Sequence, residues 1–385
     1  MRHPNYSQPN FPKPVQTSTP QQLAQQQLAM RGHAEPMLCM SESELISNAR
    51  RFKAAMPRVQ AHYAVKANPH PRVLQLLAQE GIGFEIASAH ELKLLRDQGI
   101  APSSLYYSNP IKSRDHIRQA AHQGVQWFVV DSVAEVQKLA EIHPAAKLYL
   151  RIATSNAGAV LPLAGKFGCT DGEVDEVMQA CKDYHMQLAG VSFHVGSQCL
   201  QAQSWRDAIT DALQCFEKMR TLGFKPELLN LGGGYPTPLN DSVPSIESLG
   251  AQIESVLADV PSHIKVIAEP GRNLVASAGC LCTRVVGTAV RQQQPWLYLD
   301  TGYYNGLMEL ADHYALPIHC ANKGNEQMWT IAGPTCDSID TLSRRRALPA
   351  NLQADDELFI GHTGAYCHAC TTQFNGFPEP QIVFV

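Results

Sequence analysis

Lys66 stands in AHYAVKAN, residues 61–68, directly after an apolar, β-prone run. At the end of a buried strand, desolvation disfavours an ammonium and is expected to lower its pKa toward that of a usable amine. Such an amine forms a Schiff base with a carbonyl. Taken alone, a strand-end lysine more often turns out to water. Its company along the chain decides otherwise. FHVGSQ offers His194 and Ser197, and LNLGGGYP offers Gly232, Gly233 and Gly234. Three glycines remove side chains and let backbone N–H groups close on an anion. AEPGR adds Glu269, Gly271 and Arg272. Together these residues describe one ligand with a phosphate at one side and a carbonyl near Lys66, which points to pyridoxal 5′-phosphate.

Each of these groups ends a predicted strand. Short apolar runs at 62–65, 83–87, 105–108, 126–130, 147–152, 188–194, 228–231 and 264–268 alternate with segments of helical periodicity. In the helix predicted over 71–80, Val73, Leu76 and Leu77 repeat at helical spacing and Gly81 supplies the stop. The next helix opens with Ser88 and Glu91 at capping-box spacing. Helices near 132–142, 172–184, 203–222 and 246–259 continue the pattern. Eight βα units imply an α/β fold, a (β/α)8 TIM-like barrel whose reactive groups gather at the carboxyl ends of the strands.

Past about residue 274 the helices thin out, and CLCTRVVGTAV, PWLYLD, QMWTIAG, DELFIG and QIVFV read as strands of a C-terminal all-β domain. The predicted organisation is a disordered tail over 1–33, a strand in 34–45 given to the β domain, a barrel over 46–274, and a β-sandwich or barrel over 275–385. The tail is rich in Gln, Pro, Ser and Asn, and it lacks the basic start and apolar core of a signal peptide. A short helix over 21–30 has only a thin apolar face.

Composition narrows the partners. With 44% hydrophobic and 17% charged residues the chain has a globular composition, and no apolar run reaches membrane-spanning length. A net charge of −4 without a basic block gives no steering field for nucleic acid. A small-molecule partner is expected. Eleven cysteines without secretory framing imply reduced thiols and a cytoplasmic setting. Cys367 and Cys370 form a single CxxC pair without a second, so no metal is expected.

From about residue 36 onward the sequence resembles a known family. YAVKAN, GFEIASAHEL, RIAT with KFG, SFHVGSQ, LNLGGGYP, AEPGRNLVASA, GPTCDSID and GAYCHACTTQFNGF, in this order, look like the ornithine/diaminopimelate/arginine decarboxylases of the alanine-racemase-like fold group. The resemblance implies that Lys66 holds pyridoxal phosphate, Glu269 pairs with its ring nitrogen, and His194 stacks on the ring. It implies a phosphate site made by Ser197, Gly233, Gly234, Gly271, Arg272 and Tyr366, with Glu85 and Arg151 as supporting residues. It also assigns Cys336 as the acid that protonates the α-carbon, reaching the site from the partner subunit of a homodimer.

For the substrate, the resemblance assigns Asp312 and Asp337 to a distal ammonium, with Phe374 lining the pocket from the partner. CDSID, where diaminopimelate decarboxylases resemble CESGD, favours a bare amine at the far end. L-Ornithine going to putrescine, for polyamine biosynthesis, is the first expectation. L-Lysine is the second, because Ala311 replaces the tyrosine that ornithine decarboxylases carry before the aspartate, and one methylene gives only about 1–3 kcal/mol of discrimination. Diaminopimelate decarboxylation, racemisation and a non-catalytic antizyme-inhibitor-like role are the remaining alternatives.

Overall fold

A computed structural model describes residues 18–163, 165–311 and 315–385. Eight parallel strands close into a barrel: Gln60–Ala64, Gly83–Ile86, Tyr106–Tyr107, Trp127–Val130, Lys147–Arg151, Gln187–Ser192, Leu228–Asn230 and Lys265–Ala268. The seam pairs Ile267 with Gln60 and Ala268 with Ala61, which sets the eighth strand beside the first. Such strands are buried on both faces, and that is why they read as continuous apolar runs such as WFVV at Trp127–Val130. Tyr106, Val129, Tyr149, Leu228 and Ile267 make a separate apolar cluster within the barrel. The eight predicted runs all form strands of the closed barrel.

Helices cross between the strands where the periodicity placed them. Pro71–Gln79 buries Val73, Leu74, Leu76 and Leu77, and Gly81 follows it at φ +74°. At Ala89–Asp97 the Ser88 hydroxyl accepts from the Glu91 N–H at 3.2 Å, while Glu91 accepts from the Ala87 N–H at 2.5 Å. The Glu91 carboxylate therefore reaches one residue beyond the cap.

The second sheet has eight strands. Its long strand, Gly279–Arg291, pairs with Met37–Met40 and Glu357–Gly361 over its first half and with Gln294–Leu299 over its second. A bulge between Val285 and Gly287 marks the change. Met37–Met40 lies between this strand and Gln381–Phe384, antiparallel to one and parallel to the other. Two strands, Ile318–Cys320 and Thr341–Pro349, had no signal in the sequence reading. The second carries Arg344, Arg345 and Arg346, whose charge conceals it.

The tail needs one correction. Residues 1–17 lie outside the described residues, but Pro20–Arg31 is a helix, opened by a capping box between Thr19 and Gln22. Ala24 and Leu28 are buried against Met37, Cys39, Cys280, Cys282 and Phe359. Packing on the sheet, with the capping box, stabilises a segment whose own apolar face is thin. All eleven cysteines are free. No described helix is long and apolar enough to cross a membrane.

Candidate active site

The carboxyl ends of the barrel strands bring Lys66, Glu85, Ser108, Arg151, His194, Asn230 and Glu269 to one mouth. Strand one ends in a single 3-10 turn, Val65–Ala67, which carries Lys66 beyond the sheet. The Lys66 ammonium donates to Glu85 Oε1 at 2.5 Å. Glu85 is buried, whereas the Lys66 side chain is 49% exposed to the open mouth. Burial among protein groups works to lower the Lys66 pKa, but Glu85 first, then Tyr366 and Glu269, raise it above its ordinary value. The expectation of a lowered pKa is thus overturned by a carboxylate 19 residues away in sequence.

Glu269 follows the eighth strand and is partly buried. Asn230 Nδ2 donates to Glu269 Oε1 at 2.6 Å, and the Ser108 hydroxyl donates to the same oxygen. Burial and the Glu85 charge raise the Glu269 pKa, while Lys66 and these two donors lower it. Arg151 is held below its ordinary pKa by burial, against the attraction of Glu269, Asp131 and Glu85, and its guanidinium lies 5.4 Å from the Phe167 ring. His194 is held neutral, at about 3, by burial and by the charges of Arg151 and Lys66. Its Nδ1 accepts from the Gly196 N–H at 3.1 Å, which fixes Nδ1 as the unprotonated nitrogen.

The glycine loop follows strand seven. Gly234 has φ +102°, and a Cβ there would lie 2.3 Å from the Gly196 carbonyl oxygen. A Cβ on Gly271 would stand 3.1 Å from Ala67 Cβ and 3.4 Å from the Tyr366 hydroxyl. Gly232 behaves differently from the expected anion donor, because its N–H donates to Asn230 Oδ1 at 2.9 Å. Arg272, only 5% exposed, lies 4.8 Å from the Tyr366 ring and within 3.3 Å of Ser197 Oγ through Nε and Nη2. It also forms a two-point ion pair with Glu309, at 2.7 and 2.5 Å.

This donor set suits pyridoxal phosphate. Arg272, Ser197 and Tyr366, next to glycines where a side chain has no room, can accept a phosphate at one side. Glu269 supplies an anion for a protonated ring nitrogen, and Lys66 supplies the amine.

Other predicted residues stand apart. Cys336 is exposed, its N–H donating to Asn375 Oδ1 at 2.9 Å. Asp337 accepts from the Tyr304 hydroxyl at 2.7 Å, and the Phe374 ring lies 4.5 Å from that of Tyr304. These residues form one cluster on the β domain, and no hydrogen bond, ion pair or ring contact among the described residues joins it to Lys66 or Glu269. Asp312 lies outside the described residues. Sequence reasoning missed Ser108, Tyr149, Asn230, Glu309 and Tyr304. Ser108 follows a barrel strand directly and Asn230 precedes the glycines, so the strand-end rule covers both.

Comparison with known proteins fits this geometry. Residues 42–276 match the family model described as pyridoxal-dependent decarboxylase, pyridoxal binding domain. The chain is 36% identical over 358 residues to a lysine/ornithine decarboxylase of Selenomonas ruminantium, covering 91% of this chain and 89% of that one. It is 34% identical over 359 residues to antizyme inhibitor 2 of Xenopus laevis, covering 88% and 78%. Among solved structures, the lysine/ornithine decarboxylase of Vibrio vulnificus complexed with cadaverine has TM-score 0.85 at 30% identity, covering 94% of this chain and 98% of that one.

Proposed function

The chain belongs to the family of pyridoxal-dependent decarboxylases, enzymes that act here on basic amino acids, and on that premise we propose that it converts L-ornithine to putrescine and carbon dioxide. L-Lysine, alone or together with ornithine, is the alternative substrate. The observation that carries the reading is the meeting of Lys66, Glu269 and Arg272 at one barrel mouth, an amine, an anion and a phosphate clamp in one place.

When bound, pyridoxal phosphate supplies a ring that accepts the electron pair released as the substrate carboxylate leaves. This chain's residues do the rest. Ser197, Gly233, Gly234, Gly271, Arg272 and Tyr366 bind the phosphate, and Glu85 and Arg151 support the cofactor less directly. Glu269 holds a proton on the ring nitrogen, and neutral His194 covers the ring face. Lys66 would hold the cofactor through its side-chain amine. Cys336 then gives a proton to the α-carbon, while Asp312 and Asp337 hold the distal ammonium beside Phe374.

Cys336 and Phe374 meet that role from a second copy of the chain. The exposure of their cluster supports this, with Phe374 42% exposed. We therefore read the protein as a homodimer with shared sites. The retained Lys66, Gly234, Glu269 and Cys336 speak against a non-catalytic regulator, although one relative carries such a name. A cytoplasmic setting and a role in polyamine biosynthesis accompany the reading. The purified protein should be yellow and release putrescine and carbon dioxide from L-ornithine, with kcat/KM compared for ornithine, lysine, arginine and diaminopimelate. Colour without amine or gas removes decarboxylation.

A further inference from the structure

Glu269 is held from behind by two residues that the family reading leaves without a role. Asn230, fully buried, uses Oδ1 to accept the Gly232 N–H at 2.9 Å. That contact fixes the amide, so its NH2 must face Glu269, where it donates to Oε1 at 2.6 Å. Ser108 stands across from it. Its hydroxyl donates to the same Oε1 and lies 2.7 Å from the Tyr149 hydroxyl. With the Ser108 proton directed to Glu269, Tyr149 must be the donor in the second contact. Tyr149 remains protonated because burial and the Glu269 charge push its pKa well up. A relay runs from Tyr149 through Ser108 to Glu269, each bond polarising the next.

We propose that Ser108 and Asn230 are positioning residues that keep Glu269 ionised and commit Oε1, reserving its second oxygen for the ring nitrogen of the cofactor. The inference rests on the assignment of Glu269 to that nitrogen. Its physical basis is the balance around the carboxylate. Burial favours the neutral acid, and Glu85 at the end of strand two repels a second charge. Lys66, at the end of strand one, and Arg151, at the end of strand five, favour the ionised form. Tyr149 and Tyr235, the latter just past the glycines, also feel the Glu269 charge and are themselves held protonated. Two charge-assisted hydrogen bonds on one oxygen add to the ionised side. A neutral Glu269 has no charge with which to keep the ring nitrogen protonated, and the ring then loses its pull on electrons.

The test reads Glu269 itself. In the cofactor-free protein, isotope-edited infrared spectroscopy follows the protonated carboxyl as pH falls, with Glu269→Gln identifying the band. Ser108→Ala should raise the protonation midpoint by about one pH unit, tenfold in proton affinity. Ser108→Thr should restore it. Asn230→Asp keeps the acceptor for Gly232, removes the amide donor and sets a second carboxylate against Glu269, and it should raise the midpoint further. In the loaded enzyme, the 15N shift of labelled pyridoxal phosphate should move toward the unprotonated ring in Ser108→Ala, with kcat falling more than KM rises. Folded Ser108→Ala and Asn230→Asp variants with the parent midpoint and ring shift would overturn the inference. A parent protein that takes up no pyridoxal phosphate would overturn the functional reading instead, and the Glu269 midpoint would still be measured.

Discussion

Lys66 Nζ and Glu85 Oε1 are 2.5 Å apart at the ends of neighbouring barrel strands, the ammonium of a half-exposed side chain held by a buried carboxylate. The pair reverses the effect of burial on the lysine. Before the site is loaded, Lys66 is stored as the cation. Glu85→Gln leaves burial as the leading influence. The Lys66 midpoint should fall by about two pH units. Mass-spectrometric rates of Lys66 labelling with an amine-selective reagent across pH measure this. An unchanged profile would show that Glu85 does not hold the proton.

The separation of Cys336 from the barrel mouth yields a second prediction. Lys66→Ala and Cys336→Ala proteins should each be inactive as amine producers, the second retaining its cofactor colour. If sites are shared, mixing the two after dissociation places an intact Lys66 and an intact Cys336 in one site of each mixed dimer. About a quarter of the parental activity should return, since half the dimers are mixed and each has one whole site. No recovery, with mixed dimers detected by native mass spectrometry, would place Cys336 in its own subunit's site.

The barrel was legible because its strands are buried on both faces, so WFVV or KVIA announces itself within a few residues. The strand-end residues followed from the same rule. What escaped depends on pairings far apart in sequence. Arg272 meets Glu309, 37 residues on, and Asn230 meets Glu269, 39 residues on, with no local signal for either. The strand Met37–Met40 is legible as apolar, but its place between Gly279–Arg291 and Gln381–Phe384 is not. Nor does a sequence show that Glu85 will outweigh desolvation at Lys66.

The helix Pro20–Arg31 covers three thiols, Cys39, Cys280 and Cys282, all buried. Burial raises their pKa, Cys39 to about 11 and Cys282 to about 12, so they are both hidden and neutral. In the intact protein all three should resist alkylation. Deleting the chain through Arg31, or substituting Leu28→Glu, should make Cys39, Cys280 and Cys282 reactive while the barrel stays folded. Counting alkylated cysteines in native protein by peptide mass spectrometry checks this. Continued protection after deletion would mean that another segment covers the sheet.

His62 gives the acid side of the stability profile. It lies in the first barrel strand, 2% exposed, its ring 4.7 Å from that of Tyr106 and close enough to Gly83 that a Cβ there would stand 2.5 Å from Nδ1. Burial, helped by the Lys265 charge, lowers its pKa to about 3. An unfolded histidine takes up a proton near pH 6.5, so between 6.5 and 3 the unfolded chain binds one more proton at this position. The stabilisation is complete above pH 6.5 and is lost as pH falls through that window. His194, at about 3, and His362, at about 4, act with the same sign. His62→Leu removes one of the three. Between pH 7 and pH 5 the parent should lose about 2 kcal/mol more unfolding free energy than the variant. Urea titrations at the two pH values measure the difference, and equal losses in the two proteins would show that His62 is already charged in the folded barrel.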